Sequence, residues 1–188
     1  MRKILGILGS PRKNGNTHVL VSRVLDGAKD MGAHAEIVLL GELNIRECDG
    51  CHVCWKKNHL CSKRDDMTAL YHRIAECDTL IFGTPVYWYG PTAIMKSFID
   101  RFVYFNCPAN RSKIKEKNAA IVVPFEDTTL ESAKLVVDFF EKSLGYLEMT
   151  IDETILVPGV TKRGEVRSRQ DVMDKCYGLG QRLAIPQD

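Results

Sequence analysis

Short apolar runs alternate along the chain with longer stretches that are apolar on one face only. The short runs predict five β-strands, at 3–8, 35–40, 79–82 and 119–123 and within 147–157. The longer stretches carry apolar residues at helical spacing and predict helices at 17–31, 67–77, 92–102, 128–145 and 172–183. Strands that alternate with helices in this way are typical of an α/β domain.

Capping residues set several of the predicted helix boundaries. Gly32 ends the first helix, and Asp66 is suited to cap the start of the second. Thr128 and Glu131 have the spacing of a capping box at the start of the fourth helix, which Gly145 ends.

The order of elements predicts an open parallel sheet with helices on both faces, because crossovers between parallel strands are right-handed. In such sheets ligands bind beyond the carboxyl ends of the strands, where the winding reverses. We therefore expect the chemistry in the loops after strands one, three and four. The 188 residues suit one domain, 1–188, in which 44–66 form a cysteine-bearing loop.

Composition and charge narrow the class of partner. The chain has 26 basic and 24 acidic residues, a formal charge of +2, so we expect no nucleic-acid partner. The apolar run near the start is too short for a signal peptide, and no stretch approaches the roughly 18 apolar residues of a transmembrane helix. We expect no membrane partner and a cytoplasmic protein with reduced thiols.

The loop after the first strand, GSPRKNGNT at 9–17, has the composition of an anion site. It offers short donor side chains and two glycines, and the helix that follows directs its positive end at the same point. It matches neither G-x-G-x-x-G nor G-x-x-x-x-G-K-[ST], which disfavours a dinucleotide or nucleoside-triphosphate site. The alternative is an ordinary polar connection rich in turn residues.

The loop after the third strand, TPVYWYGP at 84–91, places three aromatic residues in a row at a strand end. Each alone is more often a packing residue, but together they predict a platform for a flat ring. A phosphate at the first loop and a heterocycle at the second describe a mononucleotide. The third loop, 124–129, carries only a weak signal.

Four of the seven cysteines, Cys48, Cys51, Cys54 and Cys61, have the spacing C-x2-C-x2-C-x6-C. Bacterial ferredoxins use the same C-x2-C-x2-C core around a [4Fe-4S] cluster, which makes these cysteines candidate cluster ligands. Zinc fits less well, because zinc sites usually use two separated C-x2-C pairs. Empty thiols and a reversible disulfide also stay open.

The remaining cysteines and the two nearby histidines are not counted among the candidate cluster ligands. Cys77 and Cys176 fall on apolar helix faces and are expected in the core, while Cys107 has no assignment. His52 and His59 lie inside the cysteine loop, but four sulfurs already complete a tetrahedral ligand set, so we expect both histidines outside it.

Three motifs together resemble a known family. GSPRKNGNT (9–17), GTPVYWYG (83–90) and KSFIDR (96–101) are similar to the FMN-binding segments of the flavodoxin-like NAD(P)H-dependent FMN reductases. The cysteine segment followed by Asp65, Asp66 and Met67 resembles that of the iron-sulfur flavoproteins within this family. The resemblance covers nearly the whole chain, 3–183.

The resemblance implies a flavodoxin-like fold with strand order 2-1-3-4-5 and FMN as the cofactor. The residues implied at the FMN phosphate are Ser10, Arg12, Asn14, Asn16 and Thr17. Those implied at the isoalloxazine ring are Pro85, Val86, Tyr87 and Trp88, with Tyr89 and Gly90 beside them. The flavin would carry the chemistry, so no catalytic side chain is predicted.

Three functions stay open at the level of sequence. The first is an FMN-dependent oxidoreductase or electron-transfer flavoprotein that passes electrons between a [4Fe-4S] cluster and FMN. The second is an NAD(P)H-dependent FMN or quinone reductase without a cluster, and the third is a zinc-stabilised nucleotide-binding module without redox activity. Bound flavin separates the third from the others, and iron separates the first from the second.

The expected partners follow from the first function. They are NAD(P)H or a ferredoxin-like electron donor, a small-molecule acceptor, and further copies of the chain in a homodimer or homotetramer. Basic residues beside the cysteines would suit an acidic donor such as ferredoxin, although a charge run is often only a solvated face; they are Lys56, Lys57, Lys63 and Arg64.

Overall fold

Five parallel strands form one sheet in the order β2-β1-β3-β4-β5. The computed structural model describes residues 1–56 and 60–186. The strands are β1 (Lys3–Leu8), β2 (His34–Leu39), β3 (Thr79–Gly83), β4 (Asn118–Pro124) and β5 (Thr150–Val157). All five predicted strands are present within a residue or two of their predicted limits, and the flavodoxin-like fold is confirmed.

Helices cover both faces of the sheet. They are α1 (Asn16–Asp30), α2 (Met67–Glu76), α3 (Ala93–Asp100), α4 (Val103–Asn106), α5 (Lys134–Tyr146) and α6 (Gln170–Ala184). α1 and α6 pack on one face, and α2, α3, α4 and α5 pack on the other. Because side chains alternate along a strand, Ile4 and Leu8 of β1 face the first layer while Leu5 and Ile7 face the second. Both faces of β1 are buried, as its unbroken apolar run predicts.

The two helices of the first layer touch through glycines. A Cβ atom built on Gly180 of α6 would lie 1.8 Å from the carbonyl oxygen of Val24, and one built on Gly27 of α1 would lie 2.1 Å from that of Tyr177. The backbones of α1 and α6 therefore approach more closely than any side chain at these positions permits. This contact fixes the C-terminal helix against the helix that follows the first loop.

Three predicted helix boundaries are wrong. The stretch 92–102 is divided, since α3 ends at Asp100 and α4 begins at Val103. The capping box of Thr128 and Glu131 does not form: Thr129 caps a 3-10 turn, Leu130–Ala133, and α5 begins after it. Gly145 lies inside α5 rather than at its end.

Asp66 stands at the start of α2, but its side chain makes no capping bond there. The Asp66 carboxylate accepts instead from the backbone N–H of Asn44 at 2.7 Å, and the Asp66 N–H donates to the carbonyl of Asn44 at 3.2 Å. Asp66 thus joins the two ends of the predicted cysteine loop. Across the part of the chain that the structure describes, no helix is long and apolar enough to cross a membrane.

The glycine contact between α1 and α6 yields a test of packing. Gly180→Ala forces a methyl group into the backbone of α1 and should lower the free energy of unfolding by about 1–3 kcal/mol, the usual cost of overpacking. Gly178→Ala is the matched control, because its Cβ meets only the Arg182 side chain at 3.8 Å. The control should gain stability by about 0.5–1 kcal/mol from helix propensity. Urea denaturation measures both, and equal effects would contradict the close approach.

Candidate functional site

A cleft of about 630 Å³, open to solvent, lies at the carboxyl ends of the strands. Four loops line it, those after β1, β3, β4 and β5. The predicted FMN residues that line the cleft are Ser10, Arg12, Asn16, Thr17, Pro85, Val86 and Tyr87. Pro124, Phe125 and Glu126 bring the third loop into the same cleft. The loops that were expected to carry the chemistry therefore meet at one place.

The first loop is folded around its own polar atoms. The Ser10 hydroxyl accepts from the backbone N–H of Arg12 at 3.3 Å, and the N–H of Gly15 donates to the carbonyl of Arg12 at 3.1 Å. Immediately after this turn α1 begins, so its unpaired N–H groups and the positive end of its dipole lie beside the cleft. The Arg12 side chain is exposed there. This arrangement suits a phosphate group.

Asn14 and Asn16, which were expected to contact the phosphate, already make hydrogen bonds within the protein. The Asn16 amide donates to the carbonyl of Lys162 at 3.0 Å and accepts from the N–H of Val166 at 3.3 Å. Asn14 does not line the cleft; its backbone has φ +55° and its N–H donates to the ring nitrogen Nδ1 of His18 at 3.0 Å. Phosphate contacts from both residues stay predictions.

The loop after β5 belongs to the cleft although the sequence did not single it out. Val160, Thr161 and Arg163 line it, and the Arg163 Nε donates to the carbonyl of Lys13 at 2.8 Å. The Glu165 carboxylate accepts from the backbone N–H of Thr161 at 2.9 Å. The signal that could have found this loop is its place: it follows a parallel strand and so starts at the same edge of the sheet.

The aromatic loop closes as a two-residue turn. Tyr87 and Gly90 exchange backbone hydrogen bonds of 2.9 and 3.0 Å. Trp88 and Tyr89, between them, both have left-handed backbone, with φ of +47° and +61°. Such turns favour Asn and Gly, so two bulky aromatic residues here hold a strained conformation.

The turn divides the aromatic platform. Tyr87 lines the cleft, whereas the side chain of Trp88 is 96% exposed and Tyr89 is 57% exposed. Trp88, Tyr89 and Gly90 are not part of the cleft wall, and their contacts with a flavin ring stay predictions.

Buried hydrogen bonds hold the first and second loops at a fixed separation. The Gly9 N–H donates to the carbonyl of Gly83 at 2.7 Å, and the hydroxyl of Thr92, at the start of α3, donates to the carbonyl of Gly9. The Thr92 N–H in turn donates to the hydroxyl of Thr84 at 3.2 Å. Both walls of the cleft are therefore built on one rigid network.

The four clustered cysteines line a second cavity, of about 370 Å³, with Tyr71, Arg101 and Val103 on its walls. Cys54 is buried, Cys51 is exposed, and Cys48 and Cys61 are intermediate. Burial, together with the nearby thiols of Cys61 and Cys48, raises the pKa of Cys54 to about 11. All seven cysteines of the chain are free thiols.

The thiols share a cavity but are not drawn together as ligands. Within residues 1–56 and 60–186, no three Cys, His, Asp or Glu side chains are close enough to share a metal ion. His52 is exposed and has left-handed backbone, with φ +55°. His59 and Lys57 lie outside the described residues. Cys77 and Cys176 are buried in the core as expected, and burial raises the pKa of each thiol to about 12.

A buried ion pair closes the base of the cysteine loop. Arg101, next to the C-terminal end of α3, donates to the two carboxylate oxygens of Asp65 at 2.6 and 3.2 Å. Their side chains are only 1% and 0% exposed. The same guanidinium donates to the carbonyl of Arg46 at 2.8 Å, and the Arg46 N–H donates to Asp65 at 3.1 Å. Both ends of the loop are therefore fixed to α3.

The charged state of this pair follows from its hydrogen bonds. Burial by itself would raise the pKa of Asp65, but the hydrogen bonds from Arg101 and from the Arg46 N–H outweigh it, so the pKa lies below its usual value. Burial would likewise lower the pKa of Arg101, and the bond to Asp65 reverses that shift. Both groups stay ionised at neutral pH.

The sequence profile described as NADPH-dependent FMN reductase matches residues 2–149. The chain belongs to the NADPH-dependent FMN reductase family. The family's profile spans the first four strands, the cysteine loop and α5, so three of the four loops of the cleft lie within the matched part.

Relatives in this family include proteins named iron-sulfur flavoproteins. One from Archaeoglobus fulgidus is 37% identical over 123 residues, 65% of this chain and 54% of that protein. Another, MJ1083 from Methanocaldococcus jannaschii, is 36% identical over 99 residues, 53% of this chain and 51% of that protein. The chain thus spans about half the length of these curated relatives. The resemblance to iron-sulfur flavoproteins is confirmed at the level of sequence.

Solved structures of FMN reductases and related enzymes share the fold. The NAD(P)H:quinone oxidoreductase of Methanothermobacter marburgensis superposes with a TM-score of 0.78 at 14% identity, covering 100% of this chain and 99% of that one. An FMN-dependent NADH-azoreductase from Bacillus anthracis, solved with FMN, has a TM-score of 0.72 at 13% identity, with 98% and 100% covered. At these identities the likeness concerns the fold alone.

The buried ion pair predicts a large difference between two acidic residues. Asp65→Ala leaves Arg101 buried without its partner and should lower the free energy of unfolding by about 3–5 kcal/mol. Asp100→Ala, the control, breaks an exposed 2.6 Å pair with Lys96 on the same helix and should cost about 0.3–0.5 kcal/mol. Comparable losses in urea denaturation would show that the Asp65 pair does not hold the loop.

The same pair predicts a direction of pH dependence. The folded pKa of Asp65 lies below its usual value of 3.8, so its stabilisation is complete above that value and is lost as the pH falls through it towards the folded pKa. The stability difference between the wild type and Asp65→Ala should therefore be constant from pH 7 to about 5 and shrink below about pH 4. A difference that grows as the solution is acidified would contradict the assignment.

Proposed function

We propose that this chain is an FMN-dependent oxidoreductase, with FMN in the cleft at the carboxyl edge of the sheet. The observation that carries the proposal is the meeting of a phosphate-type loop, the start of α1 and the aromatic loop around one open cleft. Membership of the NADPH-dependent FMN reductase family supports it independently.

Different residues would hold the phosphate and the ring of the cofactor. Ser10, Arg12, Thr17 and the first N–H groups of α1 would bind the phosphate, while Pro85, Val86 and Tyr87 would border the ring. Bound FMN would supply the redox chemistry, exchanging a hydride or single electrons at its ring. The protein contributes position and electrostatics, and the buried bonds of Thr92 keep both walls fixed.

We further propose that the cysteine cavity holds a [4Fe-4S] cluster bound by Cys48, Cys51, Cys54 and Cys61. Their C-x2-C-x2-C-x6-C spacing, the single cavity that all four line, and the names of the relatives support this. A cluster exchanges one electron at a time, so together with FMN it would couple one-electron and two-electron partners. The four thiols would have to move closer to bind it.

The second candidate is an NAD(P)H-dependent FMN or quinone reductase without a cluster. One observation favours it: within the described ranges the thiols do not form a group able to hold a metal. Family membership favours either flavin enzyme over a zinc-stabilised module without redox activity.

The partners are also proposals. We propose NAD(P)H or a ferredoxin-like protein as donor, a small-molecule acceptor, a homodimer or homotetramer, and a cytoplasmic site of action for one domain, 1–188, with its cysteine loop at 44–66. The basic surface offered to ferredoxin is smaller than the sequence suggests, because Lys63 pairs with Asp49 at 2.9 Å and is only 15% exposed.

The proposed FMN site is tested by measuring the contribution of the phosphate contacts separately from that of the ring contacts. Arg12→Ala removes a charge from the phosphate side of the cleft and should raise the dissociation constant for FMN by about tenfold or more, the value of a hydrogen bond to a charged group. Riboflavin, which lacks the phosphate, should bind the variant and the wild type equally. Arg73→Ala, at the other end of the sheet, is the control. Equal weakening of both ligands would remove Arg12 from the phosphate site.

The cluster is tested by metal analysis of protein purified without oxygen. The wild type should carry about four iron and four labile sulfide atoms per chain, the content of one cubane. Cys51→Ser, Cys54→Ser and Cys61→Ser should each lower iron strongly while FMN stays bound. Cys176→Ser, in the core away from the cavity, should keep its iron. Wild-type protein with flavin but no iron would favour the second candidate.

A further inference from the structure

The Arg101 guanidinium has one nitrogen, Nε, that its structural role does not use. Its two terminal nitrogens donate hydrogen bonds to the Asp65 carboxylate and to the carbonyl of Arg46. Its Nε is buried and makes no hydrogen bond to any of the described residues. A buried N–H without an acceptor costs about 1–3 kcal/mol, so such groups call for an explanation.

The surroundings of Arg101 offer an explanation for this unpaired N–H group. Arg101 lines the cavity that the four cysteines share, and the thiol of Cys61 is close enough to act electrostatically on its guanidinium. Tyr71 lines the same cavity, but its hydroxyl is committed to the carbonyl of Arg101 at 3.3 Å. Arg101 therefore brings a buried cation, with an unpaired Nε–H, to the wall of the cavity that the four thiols line.

We propose that Arg101 is a ligand-tuning residue of this cavity: its Nε–H donates to a sulfur of the bound cluster, and its charge raises the cluster's reduction potential. The inference rests on the proposed cluster. Reduction adds one electron, and hence one negative charge, to a centre that four thiolates already make anionic. A buried cation stabilises the reduced form more than the oxidised form, and hydrogen bonds to cluster sulfurs act in the same direction.

Asp65 is part of the same device, with the opposite sign. Its carboxylate neutralises Arg101 from the side of α2 and would lower the potential that Arg101 raises. Removal of the Arg101 charge should therefore lower the potential, and removal of the Asp65 charge should raise it. A residue that only held the loop in place would not produce this pattern.

The test is a redox titration of the protein after it has been reconstituted without oxygen with FMN, iron and sulfide. Dithionite is the reductant, and electron paramagnetic resonance follows the cluster. Arg101→Gln should make the potential more negative by at least about 59 mV, a tenfold change in the one-electron equilibrium. Asp65→Asn, which still offers an acceptor to Arg101, should make it more positive. Arg73→Gln is the control, because it removes an arginine charge at the other end of the sheet, and it should leave the potential unchanged.

Each outcome bears on a different claim. Wild-type protein that takes up no iron overturns the cluster and with it the role of Arg101. Iron-loaded variants whose potentials match the wild type, or shift in the same direction, overturn the role of Arg101 alone. If Arg101→Gln does not fold, as judged by circular dichroism, the positive shift of Asp65→Asn still decides: its presence supports the proposal and its absence overturns it.

Discussion

The buried pair of Asp65 and Arg101 is the interaction on which the arrangement of the two candidate sites depends. Charges this deeply buried are stable only when their hydrogen bonds are satisfied, and here nearly all are satisfied by the backbone and side chains at the two ends of the cysteine loop. The loop is consequently fixed to α3, and α3 is fixed by Thr92 to the first loop of the cleft. One chain of buried polar contacts thus connects the thiol-lined cavity with the proposed flavin cleft.

The cleft itself is a product of the parallel sheet. All five strands end at one edge, and four of them contribute a loop to the cleft. In an antiparallel sheet the ends of neighbouring strands would lie at opposite edges, and these loops could not have met. The loop after β5 shows how these contributions are coupled, since Asn16 and Arg163 bond it to the first loop. The side chains that hold the cleft together and those available to a ligand are therefore partly different sets.

The sequence predicted the sheet well because buried parallel strands are unbroken apolar runs, and it predicted the first loop because short donors and glycines follow such a run directly. Arg101 was not predictable in the same way. An arginine after an amphipathic helix is usually exposed, and only the folded chain brings Asp65, 36 positions earlier, against it. The turn at Trp88 and Tyr89 was hidden too, because its residue types are not those that left-handed turns favour.

The joined ends of the cysteine loop also bear on how such a protein can change over generations. Asn44 and Asp66 are hydrogen-bonded to each other in both directions, so the chain leaves the scaffold and returns to it at nearly the same point. Insertions or deletions between them need not displace a strand or helix of the sheet. Natural selection could therefore lengthen, shorten or empty this segment as a separate cassette while the flavodoxin-like scaffold stays the same.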